Sequence, residues 1–179
     1  MHELDSQGHI DLFFGDEAGF SLNLNLPYGW QFPGEPIRIL PQRGKQINTL
    51  GFMKSSGDEL YTFSKEGSVK ADFVIDAINS WRTTLVKPTV LVLDNRTGEP
   101  ARIHHSHLLK SCLSGWEDEN LYIFFLPAYS PHLNRIERLW LKTKQRWLNP
   151  SDYISLPSLK AALDKIWADF GGKYRVDFS

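Results

Sequence analysis

Residues 89–93, Thr-Val-Leu-Val-Leu, are apolar almost throughout and run directly into Asp94. A run without polar alternation cannot leave one face in water. It reads as a strand covered on both sides, and therefore as the inner part of a sheet with helices on both faces. Leu121-Tyr122-Ile123-Phe124-Phe125-Leu126 is a second run of the same kind. Residues 20–26, Phe-Ser-Leu-Asn-Leu-Asn-Leu, alternate strictly instead, as a half-buried antiparallel strand does. A chain that mixes the two patterns must build a sheet that is part antiparallel and part parallel.

The remaining elements follow in order. Residues 10–16 read as a buried strand, with Gly19 at the turn into 20–26. Seven Pro and Gly residues fill the stretch from 27 to 46, which reads as a long irregular loop of the kind that often carries function. Ile47 to Lys54 is a strand, Ser55-Ser56-Gly57-Asp58 a turn, and Leu60 to Phe63 the returning hairpin partner. Val74, Ala77, Ile78, Trp81 and Leu85 recur at helical spacing, which predicts an amphipathic helix over 70–85. Helices are also expected over 104–116 and 158–169, with another starting at Ser130, a good N-cap followed by Pro131.

This is mixed α/β: an antiparallel meander, then strands alternating with helices. With 179 residues, 41% of them apolar, the chain suffices for one compact domain, and no repeat or second domain is visible. No apolar run approaches a membrane span, and no secretory signal opens the chain. The lone Cys112 excludes an internal disulfide and fits a reducing compartment. It reads as a small buried side chain.

Three carboxylates stand out. Asp16 closes the run Leu12-Phe13-Phe14-Gly15, and Asp94 closes 89–93. Ligands gather at the carboxyl ends of parallel strands, so both positions suit a site. Both equally suit the polar end of a strand entering a turn. Glu137 lies in the helix after Ser130, beside an apolar stripe of Leu133, Ile136, Trp140 and Trp147. It is the only acid among Arg135, Arg138, Lys142, Lys144 and Arg146. One reading is an ion pair with Arg138 or Lys144 on a solvated face. The other is a carboxylate that holds a cation while the basic side chains meet phosphates. The two tryptophans read as core rather than as base-stacking platforms. Carboxylates from two strands and a helix are what two hard divalent cations need for phosphoryl transfer on nucleic acid. A zinc site at His104, His105 and His107 is disfavoured for want of a second ligand group, and His132 reads as a surface residue.

Leu93-Asp94-Asn95, Ile103-His104 and the stretch Leu126-Pro127-Ala128-Tyr129-Ser130-Pro131-His132-Leu133-Asn134-Arg135-Ile136-Glu137-Arg138-Leu139-Trp140 resemble the catalytic domain of mariner-superfamily DDE transposases, in particular the bacterial insertion-sequence branch. Phe14-Gly15-Asp16-Glu17-Ala18-Gly19-Phe20, Gly29-Trp30 and Pro33-Gly34 are similar to that branch too. The resemblance covers about residues 10–148. It implies a ribonuclease H-like fold in which a mixed sheet is flanked by helices. It also implies metal-dependent DNA cleavage and strand transfer at transposon ends, with Asp16, Asp94 and Glu137 as catalytic and metal-binding residues. Mg²⁺ is the implied cofactor, with Mn²⁺ expected to substitute. Two ions about 3.5–4 Å apart would be held, with Asp16 bridging them. Lys144 stands where the family carries a basic residue near DNA, and Arg135, Arg138 and Lys142 join it as expected DNA contacts. Arg135 and Ala128 replace residues that are usually apolar or proline in the family, and 96–102 look like an insertion.

The family's N-terminal helix-turn-helix is not visible, so residues 1–179 are expected to be a single catalytic domain. That fits a net charge of −1 and a pI near 6.6, which are poor for a stand-alone DNA binder. Expected partners are transposon-end and target DNA, with a homodimer on DNA and no membrane. The expected setting is the bacterial cytoplasm, with nucleoid association when DNA is bound. The competing functions are a non-catalytic transposase remnant that binds DNA or protein, and another two-metal nuclease of the same fold.

Overall fold

The computed structural model describes residues 1–22, 46–94, 107–127 and 130–178. Its centre is a five-stranded sheet of order β3-β2-β1-β4-β5, built from β1 (Asp11–Ser21), β2 (Gln46–Lys54), β3 (Leu60–Glu66), β4 (Thr89–Leu93) and β5 (Leu121–Phe125). The meander β1-β2-β3 is antiparallel, while β4 joins β1, and β5 joins β4, in parallel. This is the mixed sheet flanked by helices expected from the apolar runs and from the ribonuclease H-like resemblance.

Period-two alternation divides the core into two layers. Phe13, Leu91, Leu93 and Leu121 face one side, where α2 (Ala71–Arg82) contributes Val74, Ile78 and Trp81 and α3 (His107–Asp118) contributes Leu109 and Trp116. Trp81 is the hub of this layer, with ring contacts to Phe13 at 5.0 Å and Phe52 at 4.7 Å. Leu12, Phe14 and Val92 face the other side. There they meet Ile136, Leu139 and Trp140 on and just before α4 (Glu137–Lys142), and Leu159, Leu163 and Ile166 of α5 (Leu156–Ala168). The parallel crossovers therefore cover one face and the C-terminal helices the other.

Several expectations are corrected. Gly19 is not a turn: β1 runs unbroken from Asp11 to Ser21 because β2 pairs with it from Phe13 to Ser21, Gly19 lying opposite Asn48. Residues 11–16 and 20–21 thus belong to one strand, and Asp16 sits inside it, while 23–26 lie outside the described residues. β5 is not buried on both faces, because it is the outer strand and Tyr122 and Phe124 stay about two-fifths exposed at 43% each. No long helix starts at Ser130. Pro131–Leu133 form a single 3₁₀ turn, and α4 begins only at Glu137. The break falls at Asn134, which is buried and donates Nδ2 to the Gly15 carbonyl at 3.1 Å. An Asn side chain engaged elsewhere competes with continued helix. Leu133 is left exposed rather than lying in the stripe.

After Lys142 the helix widens into a π turn, Thr143–Trp147, with Leu148 N–H reaching the Thr143 carbonyl. A short helix before the sheet, α1 (His2–Ser6), is legible in no sequence pattern above. Cys112 is a free, half-buried thiol rather than a fully buried one. The loop expected over 27–46 and the insertion expected over 96–102 lie outside the described residues, save Gln46, which opens β2.

Candidate active site at the end of the parallel strands

Parallel pairing of β1 with β4 ends at Gly15 opposite Leu93. An aspartate follows each: Asp16 inside β1, and Asp94 just past the end of β4. Paired residues in a sheet point to the same face, and Phe14 and Val92, two positions back, lie in the α4 and α5 layer. Extended backbone one residue past this register would set Asp16 and Asp94 side by side on that layer's face. Both are nearly sealed from solvent, at 7% and 4% exposure. Burying two carboxylates side by side is costly unless a cation or donors compensate, because like charges at this spacing repel in a medium of low dielectric.

Glu137 opens α4, which packs over the same face through Ile136, Leu139 and Trp140. Its half-exposed side chain lies along a groove of about 350 Å³ lined also by Arg138, Trp140, Leu141 and Lys144. Lys144 reports on the local field. Burial pushes its ammonium below the ordinary lysine value, and the charges of Glu137 and Asp16 pull the other way. The Lys144 Nζ also lies 5.3 Å from the Phe20 ring centre. Among the described residues no three His, Cys, Asp or Glu side chains stand close enough to hold a metal ion. The three acids share one face and one end of the sheet without closing into a cage. Their donor set is all oxygen, which suits Mg²⁺ or Mn²⁺ rather than zinc.

The four basic residues singled out from the sequence divide. Lys144 and Arg138 both line the groove beside Glu137. Arg135 donates to the Ser55 carbonyl at 3.0 Å, with its guanidinium over Phe178 at 4.9 Å. Arg138 donates to the Asp177 carbonyl at 3.4 Å, and Lys142 to the Arg175 carbonyl at 3.0 Å. Lys142 also pairs with the Asp177 carboxylate at 3.6 Å. The segment 175–178 is therefore laid along the basic side of α4. His132 is exposed as expected; His104 and His105 lie outside the described residues.

Two contributors were not read from the sequence as part of the site. Trp140, taken there as core, is core, yet its indole Nε1 donates to Asp16 Oδ2 at 3.2 Å. Asn134 ties the start of α4 to β1 beside Asp16. The only hint was spacing: Asn134 and Trp140 lie three residues either side of Glu137, one helical turn away in each direction.

Comparison with known proteins agrees with this architecture. A structure of the Mos1 strand transfer complex superposes with a TM-score of 0.58 at 21% identity, over 89% of this chain and 49% of that one. The mariner Mos1 paired end complex with Mg matches with the same score and identity, over 88% and 48%. At this identity the likeness establishes a shared fold. In sequence, the insertion element IS630 uncharacterized 39 kDa protein of Shigella sonnei is 26% identical over 132 residues, 72% of this chain and 36% of that protein. The chain spans about a third of that relative's length, and about half of the Mos1 chains. Among the described residues no helix is long and apolar enough to cross a membrane. The family model described as DDE superfamily endonuclease matches residues 11–160, from the first residue of β1 into α5 and across all three acids, and the chain belongs to that family.

Proposed function

We propose that this chain is the catalytic domain of an insertion-element transposase that cuts DNA at the element's ends and transfers the freed strand to a target. The observation that carries the reading is that two buried aspartates, Asp16 and Asp94, directly follow the paired residues Gly15 and Leu93, with Glu137 opening α4, which packs on the same face. Membership of an endonuclease family and the insertion-element relative support it. Asp16, Asp94 and Glu137 would hold the divalent cations, and Mos1 complexes with Mg and with Mn support that choice of metal. When bound, such ions supply a polarised water or hydroxyl and neutralise charge on the phosphate.

The chain's own part is placement. Asp16 is fixed by its place inside β1 and Asp94 directly follows β4, and their burial would keep competing water off the carboxylates. Lys144, which lines the groove beside Glu137, would meet a DNA phosphate there. Arg138 and Lys142 would exchange their contacts with 175–177 for phosphates, and Arg135 would support them from beside Phe178. DNA carrying the element's ends and target DNA are the partners, and pairing two ends would bring two copies together. The reading places the reaction where bacterial DNA is, in the cytoplasm.

The test uses short duplexes bearing the element's terminal sequences, with Mg²⁺ or Mn²⁺, and sequencing-gel readout. Wild-type protein should nick the ends and join them to a second duplex. Asp94→Ala should abolish both reactions and leave the circular dichroism spectrum unchanged. Undiminished cleavage by Asp94→Ala would refute the assignment. Nicking without joining would favour a nuclease of the same fold, and binding without cleavage a non-catalytic role.

A further inference from the structure

We infer that Trp140 is a positioning residue for Asp16: its indole N–H fixes the plane in which that carboxylate is offered to a divalent cation. The inference rests on the reading of Asp16 as a metal ligand. Trp140 is 3% exposed and donates Nε1–H to Asp16 Oδ2. A neutral donor orients a carboxylate without cancelling its charge. An ammonium in the same place would compete with the cation, and the indole does not.

The ring has little freedom to leave. Phe20 packs edge-on at 6.2 Å and Trp167 at 6.0 Å. Below it lies β2, where the residue paired with Asp16 is Gly51. A Cβ built on Gly51 would stand 2.7 Å from Trp140 Cη2 and 3.1 Å from Cζ2. The bare backbone at Gly51 is thus what lets the indole lie against the sheet and reach Asp16. Strand register, a glycine and two aromatic neighbours converge on one hydrogen bond to one carboxylate. That is more constraint than core filling needs, and it is how groups behind a metal ligand set its orientation.

The test compares Trp140→Phe with Trp167→Phe. Trp167 packs on the same ring, but among the described residues its buried indole Nε1 has no hydrogen-bond partner, so its replacement alters packing without removing a bond to Asp16. Mn²⁺ affinity is read by electron paramagnetic resonance of free Mn²⁺, without DNA or turnover. Trp140→Phe should bind Mn²⁺ about tenfold more weakly or worse, while Trp167→Phe binds as wild type. In wild-type protein, a Mg²⁺ titration should shift the assigned Trp140 indole N–H resonance more than any other indole, a readout that stands even where Trp140→Phe fails to fold. Equal loss in both variants, wild-type affinity in Trp140→Phe, or a Trp140 resonance unmoved at saturating Mg²⁺ overturns the inference. Asp16→Asn separates the levels. Lost Mn²⁺ binding there beside wild-type affinity in Trp140→Phe removes the positioning role alone. Wild-type binding by Asp16→Asn removes the metal site with it.

Discussion

The same substitution at two glycines should move stability in opposite directions. Alanine in place of glycine ordinarily stabilises by about 0.4–1 kcal/mol, because the unfolded chain loses freedom. At Gly51 the new methyl would lie 2.7 Å from Trp140 Cη2 and 3.1 Å from Ile136 Cδ1, closer than carbon atoms tolerate. The obstacle is a rigid indole wedged by Phe20 and Trp167, so it cannot swing away as a flexible side chain would. Overpacking of this kind costs about 1–3 kcal/mol. Setting one effect against the other leaves a net loss of about 1–2 kcal/mol. For a chain of this size that lowers the melting temperature by roughly 2–8 °C. Gly115 lies in α3 with nothing within 4 Å of an added methyl and no left-handed backbone. There Gly115→Ala should gain about 0.8–1 kcal/mol of helix propensity and raise the melting temperature by roughly 2–4 °C. The assay is thermal unfolding followed by far-ultraviolet circular dichroism, with urea titration for the free energies. In a Trp140→Phe background the Gly51→Ala penalty should shrink, since the phenyl ring ends short of the clash, and the pair should be non-additive. A Gly51→Ala protein as stable as wild type, or a penalty unchanged by Trp140→Phe, would refute the packing argument.

Asn134→Ala should destabilise by about 1–3 kcal/mol, because the Gly15 carbonyl loses a buried donor; urea unfolding measures it, and a shift below about 0.5 kcal/mol would contradict the anchoring role. Lys144 carries a lowered pKa in the fold, so between that value and its ordinary 10.5 the unfolded chain binds more protons than the native one. Stability from this residue therefore rises with pH through that window and is flat below it. Lys144→Met should remove that alkaline gain in unfolding titrations from neutral pH upward. Asp177→Ala should release Lys142 and raise affinity for duplex DNA, with a steeper fall in binding as salt increases, both measured by fluorescence anisotropy. An unchanged salt slope would show that Lys142 does not meet phosphates. Lys160→Ala, which removes an exposed pair with Asp164, should change the melting temperature by less than about 2 °C.

The sequence by itself determined what repeats locally. The apolar run 89–93, the amphipathic spacing from Val74 to Trp81 and the carboxylates that end or flank such stretches are set by backbone periods of two and 3.6 residues, which any short window displays. That was enough for a mixed sheet with helices on both faces and for Asp16, Asp94 and Glu137 as candidates. What failed was what depends on a partner elsewhere in the chain. Gly19 reads as a turn, but β2 pairs with β1 from Phe13 to Ser21 and carries the strand through it. The run 121–126 looked doubly buried until β5 took the outer place in the sheet. The helix after Ser130 looked continuous until Asn134 was spent on β1. Folded packing sets Gly15 opposite Leu93, the residues that Asp16 and Asp94 follow, because register between distant strands is a property of the whole packing. It also decided that an indole from α4 reaches Asp16 across Gly51, and that residues 175–178 lie along the basic side of α4. Each is a contact between segments whose local patterns carry no trace of one another.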